Sequence, residues 1–192
     1  MQAGIGGSGA ALARLRSDEE AARWRIDPSR LVVLGFSAGA HLAAQAIGPP
    51  VGPPAAALVL VYPAEEDGGG GYPGLCPGGR DEVRTTLAAE EVAASAGAAT
   101  RWPAVYVVGS TNDRLLPPPE HADLVVASLK KCGVSVQYQR QKLGDHGFGV
   151  IKKWTMPCAA WLKEKVVEKD AAAAAPVEGV EAAMAALSVA SS

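Results

Sequence analysis

The chain has 192 residues, of which 48% are hydrophobic, and its 18 basic and 20 acidic residues give a formal net charge of −2. This length and composition suit one globular domain, and the near-neutral charge gives no electrostatic footprint for nucleic acid. No run approaches the ~20 apolar residues of a membrane span, and no charged-then-apolar leader opens the chain. We therefore expect a cytoplasmic protein that binds neither nucleic acid nor membrane.

Residues 1–9 are rich in glycine and formally contain G-x-G-x-x-G, the pattern of phosphate-binding loops. Such a loop follows a strand, and no strand precedes this one, so we interpret residues 1–9 as a flexible lead rather than a cofactor site. A helix is predicted over residues 10–24.

The next segment has the pattern of a strand, a sharp turn and a helix. An apolar run at 31–34 precedes the pentapeptide GFSAG at 35–39, and a helix-like stretch follows at 40–46. Such an elbow projects the serine hydroxyl above a parallel sheet, and the two glycines leave room for strand and helix to approach each other. Ser37 is therefore a candidate nucleophile. The alternative is a serine that merely caps the helix.

An acid and a histidine follow at positions that suit a triad. Asp113 comes after a strand-like run at 105–109, and His146 lies in a glycine-flanked loop after another such run at 134–138. Open α/β sheets place their chemistry at strand ends, and triads on such sheets run in the order Ser, Asp, His. Taken singly, Asp113 is more typical of a turn residue than of a catalyst, and His146 is compatible with a solvated loop, but their ordered coincidence with Ser37 favours a triad.

Two further residues near these positions need an interpretation. Asp145 directly precedes His146, and because adjacent loop residues usually point apart, we keep Asp113 as the acid. His121 follows a run of three prolines at the start of a predicted helix. We expect the His121 side chain to be solvated.

The remaining segments complete the predicted architecture. Apolar residues at helical spacing predict helices at 120–131 and 155–167 that pack on the sheet. Residues 65–80 are predicted as a Gly- and Pro-rich loop, followed by a helix-like segment at 81–94. The alanine-dominated tail at 169–192 is expected to be disordered or a frayed helix.

The cysteines do not suggest a framework. Cys76, Cys132 and Cys158 are odd in number and widely separated. We therefore expect no disulfide, no metal site and no cofactor.

The runs GFSAGAHLAA, GSTNDRLLPP and GDHGFG resemble the nucleophile, acid and histidine segments of the α/β-hydrolase superfamily. The resemblance is to its esterase/lipase type, in particular the acetylxylan and feruloyl esterase-like proteins, and it covers residues 10–168. It implies that Ser37 is the nucleophile, His146 the general base and Asp113 the carboxylate that orients the histidine. It also implies that the backbone N–H of Ala38 is one donor of the oxyanion hole.

The chain departs from the resembling proteins upstream of the elbow. They carry a glycine-rich loop there that supplies a second oxyanion donor, but only 36 residues precede Ser37. We therefore expect a three-layer α/β-hydrolase-like sandwich that lacks the N-terminal half and keeps a mostly parallel sheet of about four strands, in a partial domain at 10–168. The elbow strand would then be an open edge at 31–35 through which two copies could associate.

Three functions are compatible with these patterns. The first is a serine esterase that hydrolyses small carboxylic esters through an acyl-enzyme. The second is an inactive hydrolase remnant that acts as an interaction or regulatory protein. The third, a peptidase-like relative, is disfavoured because Ala40 stands where such peptidases usually carry another glycine.

Overall fold

The computed structural model describes residues 10–47, 55–64, 102–131 and 133–168. In these ranges four strands form one sheet in which every neighbouring pair is parallel: β1 (Val32–Phe36), β2 (Ala57–Val61), β3 (Ala104–Ser110) and β4 (Val136–Gln141), in that spatial order. The sheet is accompanied by a helical segment over 10–15 and by α1 (Asp18–Trp24), α2 (Ala38–Ile47), α3 (Ala122–Lys131) and α4 (Lys152–Leu162), the last continuing as a π-helical segment, Lys163–Glu168.

The strands differ in burial according to their place in the sheet. Strand β2 reads Ala-Leu-Val-Leu-Val and is buried at every position, as is typical of a parallel strand covered on both faces. Strand β4 reads Val-Gln-Tyr-Gln-Arg-Gln, with a glutamine at every second position, and is only partly buried. Among the described residues β1 pairs with β2 alone, and its Leu34 side chain is 47% exposed. The open edge that the sequence predicts therefore appears in the described part of the sheet.

Two apolar clusters lie on opposite faces of the sheet and make three layers. On one face α2 and α3 pack against alternate residues of the central strands, including Leu58 and Val105. On the other face α4 packs its Trp154 and Trp161 against the intervening residues, including Val59. The predicted three-layer arrangement with a parallel four-stranded sheet is confirmed.

The helix predicted over residues 10–24 is interrupted. A helical segment over 10–15 ends before Ser17, whose Oγ accepts a hydrogen bond from the N–H of Glu20 at 3.4 Å and caps α1. A serine side chain that bonds to the backbone competes with helix continuation, which explains the break. The single helix of the prediction was wrong in this respect.

Helix α4 contains Pro157, and the sheet compensates for it. Proline has no N–H, so the carbonyl of Lys153, four residues earlier, lacks its helical donor. The side-chain amides of Gln139 and Gln141 on β4 donate to that carbonyl at 2.9 and 3.3 Å. The polar face of β4 thereby anchors the helix that follows residues 142–151, the loop that carries His146, which we call the histidine loop.

Several predicted segments lie outside the described residues: the lead at 1–9, the loop at 65–80, the helix at 81–94 and the tail at 169–192. Cys76 and Cys132 lie outside them as well. None of the helices in the described ranges combines the length and the hydropathy that a membrane span requires.

Candidate active site

Ser37 occupies the sharp turn between β1 and α2. Its backbone has a φ of 50°, in the left-handed region that non-glycine residues rarely adopt, and its N–H donates to the carbonyl of Val61 at 3.0 Å. A backbone held in this way is strained, and such strain persists where surrounding structure fixes it, often at functional sites. The turn has the features of the predicted elbow.

The two glycines of the pentapeptide have different roles. A Cβ placed on Gly35 would lie 2.2 Å from the carbonyl oxygen of Gly39 and 2.5 Å from the Cα of Ala40, so strand and helix can approach only without that atom. A Cβ on Gly39 would meet nothing within 4 Å. The expectation that both glycines provide room is therefore corrected, because only Gly35 does.

The structure brings Ser37, His146 and Asp113 into one hydrogen-bonded chain, which we call the Ser–His–Asp chain. Ser37 Oγ lies 2.9 Å from His146 Nε2, and His146 Nδ1 lies 2.9 Å from Asp113 Oδ2. Because a carboxylate only accepts, the partners assign the imidazole proton to Nδ1 and leave Nε2 to accept from the serine hydroxyl. This arrangement can take a proton from Ser37.

Asp113 is fixed by the turn that follows β3, residues 111–116, which we call the acid turn. Its side chain is buried, and Oδ1 accepts hydrogen bonds from the N–H groups of Leu115 and Leu116 at 3.0 and 2.9 Å. Oδ2 is thereby left for His146. With three donors around it, the buried carboxylate is fully paired in the manner that buried charges require.

A buried serine joins the acid turn to the histidine loop, and the sequence patterns did not identify it. Ser110 Oγ accepts from the N–H groups of Leu143 and Gly144, both at 3.2 Å. Its own proton can serve Gly144 O at 2.5 Å or Asn112 Oδ1 at 2.8 Å, and Asn112 Oδ1 also accepts from Gly144 N at 3.1 Å. Ser110 ends an apolar strand, and a serine at that place was the available signal.

Tyr62, directly after β2, was also missed as a site residue. Its ring meets the His146 ring edge to face with centroids 4.7 Å apart, and it meets the Phe148 ring at the same distance. Its backbone φ of 41° is in the left-handed region. Burial raises the pKa of Tyr62, and the charge of Asp113 raises it further, so the hydroxyl stays protonated. The uncharged aromatic ring of Tyr62 therefore packs against the imidazole of His146.

Two histidine-related expectations are settled by position. Asp145 turns away from the imidazole and pairs with Arg114 instead, as expected of a residue adjacent to His146. His121, which we expected to be solvated, is buried, so that prediction was wrong. It precedes α3, and its N–H donates to the carbonyl of Pro118.

Ala38 is the first residue of α2, and the N-terminal N–H groups of a helix have no intrahelical acceptor. The positive end of the helix dipole also lies there. We assign no second backbone donor in the described part of the chain. Nor do the described residues contain a group of three His, Cys, Asp or Glu side chains that could hold a metal ion.

No protein-family model matches the sequence, and no curated protein matches it. Similar solved structures include an α/β hydrolase enzyme from a Medee basin deep-sea metagenome library, at 23% identity and a TM-score of 0.59, covering 84% of this chain and 64% of that one. An acetyl ester-xyloside bifunctional hydrolase from Caldicellulosiruptor lactoaceticus shares 23% identity with a TM-score of 0.64, and the match covers 83% of this chain and 65% of that one. Esterase 2 of Thermogutta terrifontis, phosphoramylated by tabun, shares 18% identity with a TM-score of 0.52, and the match covers 86% of this chain and 63% of that one.

Similarity at these identities establishes the fold and not the activity. The chain spans slightly less than two thirds of the length of these three structures. What the described residues can do must therefore be argued from their own geometry.

Proposed function

Because the chain has the α/β-hydrolase fold and carries the Ser–His–Asp chain at its strand ends, we propose that it is a serine hydrolase of the carboxylesterase type. Ser37 is the nucleophile, His146 the general base and then acid, and Asp113 the carboxylate that orients the imidazole. The substrate class is a small carboxylic ester, and no cofactor takes part.

One observation carries the proposal. The two contacts of the Ser–His–Asp chain are both 2.9 Å, and they join residues far apart in sequence, with Ser37 in a strained turn. A serine that only capped α2 would have no reason to meet an imidazole that is itself paired with a buried carboxylate. Nucleophile, base and orienting group within hydrogen-bond reach are the arrangement that activates a serine.

The first half of the reaction forms an acyl-enzyme. Ser37 Oγ attacks the ester carbonyl as His146 Nε2 takes its proton, and the carbonyl electron pair moves to the oxygen. When that tetrahedral intermediate collapses, the bond to the alkoxy oxygen breaks and His146 returns the proton to the leaving alcohol. In the second half, water attacks the acyl group with His146 again as base, which releases the acid and restores Ser37.

Asp113 and Ala38 act on the charges that develop. The Asp113 carboxylate holds the Nδ1 proton in place and stabilises the imidazolium that forms when Nε2 is protonated. The N–H of Ala38, at the start of α2, can donate to the oxyanion of the intermediate. Loss of one such donor typically costs about 2.7–4 kcal/mol in transition-state stabilisation, so a second donor would matter as much.

The ester substrate class rests on chemistry and on the similar structures together. Among them are an acetyl ester-xyloside hydrolase and an esterase that tabun modifies. A nucleophile activated in this way attacks esters more readily than amides, because resonance makes an amide carbonyl less electrophilic and an amine is the poorer leaving group. These features support small esters and do not select one acid or alcohol.

The test is labelling of the purified protein with a fluorophosphonate probe, together with hydrolysis of p-nitrophenyl acetate. We expect labelling and turnover in the unaltered protein and in Ser135→Ala, an exposed serine at the other end of the sheet. Both signals should be lost in Ser37→Ala and fall by roughly 10⁴-fold or more in His146→Ala. Labelling that persists in Ser37→Ala would contradict the assignment.

A second candidate is an inactive remnant that binds a partner. The observation that favours it is the coverage of the similar structures, slightly below two thirds, combined with the open edge at β1. Under this alternative a folded protein would give neither labelling nor turnover. The same experiment therefore separates the two candidates.

A further inference from the structure

The histidine loop and the acid turn are connected on their outer side by one carboxylate. Asp145, which precedes His146, accepts two backbone hydrogen bonds on Oδ1, from the N–H of Arg114 and from the N–H of His146, both at 2.9 Å. Its Oδ2 accepts from the guanidinium of Arg114, with Nε at 2.7 Å and a second contact from the terminal nitrogen. Arg114 directly follows Asp113, so Asp145 touches the main chain beside both partners of the imidazole–carboxylate contact.

We propose that Asp145 is a positioning residue, which fixes the distance between Asp113 and His146 by tying the backbones beside them together. Arg114 completes this clamp by pairing with the charge of Asp145. The clamp is the Arg114–Asp145 pair with its two backbone contacts. This inference rests on the proposed function, because it concerns the same imidazole.

An ordinary surface ion pair does not explain the geometry. The Arg114 side chain is 87% exposed and that of Asp145 43%, and exposed pairs contribute little to folding stability. Yet both acceptor bonds of Oδ1 go to main-chain N–H groups beside the Ser–His–Asp chain, where small displacements affect chemistry more than stability. A 1 Å misplacement of a reacting group can cost about 10²-fold in rate.

The histidine loop needs such support because its backbone is permissive. Gly144, Gly147 and Gly149 have φ values of 139°, 78° and 66°, conformations that glycine adopts without cost and that give the loop little rigidity of its own. Ser110 holds Gly144 from the inner side. Asp145 supplies the corresponding contact at His146 itself.

The charge state of the clamp suits a constant role. Hydrogen bonds from Arg114 lower the pKa of Asp145 to about 2, with the His146 N–H contributing, and Asp145 in turn raises the pKa of Arg114. Both side chains therefore remain charged throughout the pH range of an esterase assay. The clamp does not switch with pH in that range.

The experiment compares Asp145→Ala with Asp145→Asn, because asparagine keeps a side-chain oxygen for the two N–H groups and loses the charge and the Oδ2 acceptor that pair with Arg114. We expect Asp145→Ala to lower kcat by about 10²-fold with KM little changed, and Asp145→Asn to retain most of kcat. Arg140→Ala is the matched control, since Arg140 on β4 forms a partly exposed ion pair with Asp123 on α3, and it should leave kcat unchanged. Thermal unfolding of each variant checks that it folds.

A second readout does not depend on turnover. The far-downfield proton NMR signal of His146 Nδ1–H reports its hydrogen bond to Asp113, and it should be lost or broadened in Asp145→Ala and kept in Asp145→Asn and Arg140→Ala. If the unaltered protein gives the signal but no activity, the proposed function fails while the clamp is still judged by this pattern. An unchanged signal and unchanged kcat in Asp145→Ala, equal damage in Asp145→Asn, or a folded unaltered protein without the signal would each overturn the inference.

Discussion

The unequal roles of the two glycines beside Ser37 lead to a quantitative prediction. In Gly35→Ala the new methyl group would lie 2.2 Å from the Gly39 carbonyl oxygen and 2.5 Å from the Ala40 Cα. Both are backbone atoms of α2, which cannot turn aside as a flexible side chain can. The strand and the helix must therefore separate at the point where they hold Ser37.

The magnitude follows from this geometry. Overpacking a buried position typically costs 1–3 kcal/mol, and a clash with backbone should fall at the upper end, about 3 kcal/mol. In a chain of this length each kcal/mol shifts Tm by roughly 2–4 °C, so the expected loss is about 6–12 °C. Gly39→Ala, where the methyl group meets nothing within 4 Å and lies in a helix, should instead be neutral or gain about 0.4–1 kcal/mol.

The assay is urea unfolding followed by circular dichroism, with fluorophosphonate labelling of the same samples. We expect Gly35→Ala to unfold at lower urea and to label slowly, while Gly39→Ala unfolds at the same or higher urea. A Gly35→Ala protein as stable as the unaltered one would refute the reasoning. So would a Gly39→Ala protein that is equally damaged, because the reasoning rests on the different space available at the two sites.

Three further predictions concern the loops and the open edge. Ser110→Ala should cost about 1–3 kcal/mol in urea unfolding, because the buried Leu143 N–H loses its acceptor, and a loss near zero would contradict this role. The Asp145 pKa of about 2 lies below its ordinary 3.8, so the carboxylate stabilises the fold above about pH 4, and that contribution disappears as the pH falls toward 2. The difference in unfolding midpoint between the unaltered protein and Asp145→Asn should therefore shrink over this range. A difference that does not change with pH would refute the prediction. We propose that two copies associate through the β1 edge at 31–35, so Leu34→Lys should reduce the mass found by sedimentation equilibrium to that of one chain, 19.6 kDa. The control is Leu124→Lys, at a similarly exposed leucine on α3, which should not change the mass. An unchanged mass in Leu34→Lys would exclude this edge.

The sequence was informative where structure depends on local pattern. The apolar runs at 31–34 and 105–109 predict strands, which are β1 and β3, and the turn chemistry around Ser37 predicts an elbow between strand and helix. The order of Ser37, Asp113 and His146 along the chain, each after a strand, was enough to predict that they meet. Their contacts are present in the structure, while their catalytic roles stay predictions.

The sequence was uninformative where structure depends on contacts between distant segments. Ser110 looks like any strand-end serine until the loop after β4 is placed against it, and Arg114 and Asp145 lie 31 residues apart with no pattern that links them. Their pairing depends on β3 and β4 being neighbours. The interruption of the first helix at Ser17 is a local feature instead, because a serine whose side chain caps α1 ends the segment before it.

Strand order explains why the histidine loop carries so many supports. Parallel strands lie about 4.8 Å apart, so β1 is about 14 Å from β4, the strand that precedes His146, and the loop must reach back over β3 and β2 to meet Ser37. Tyr62 emerges from β2, which lies on that path, and its ring packs against the imidazole there. The sheet itself therefore fixes Ser37 and the start of the acid turn, whereas the position of His146 depends on side chains that contact its loop, and substitutions of those side chains should affect the imidazole before they affect the fold.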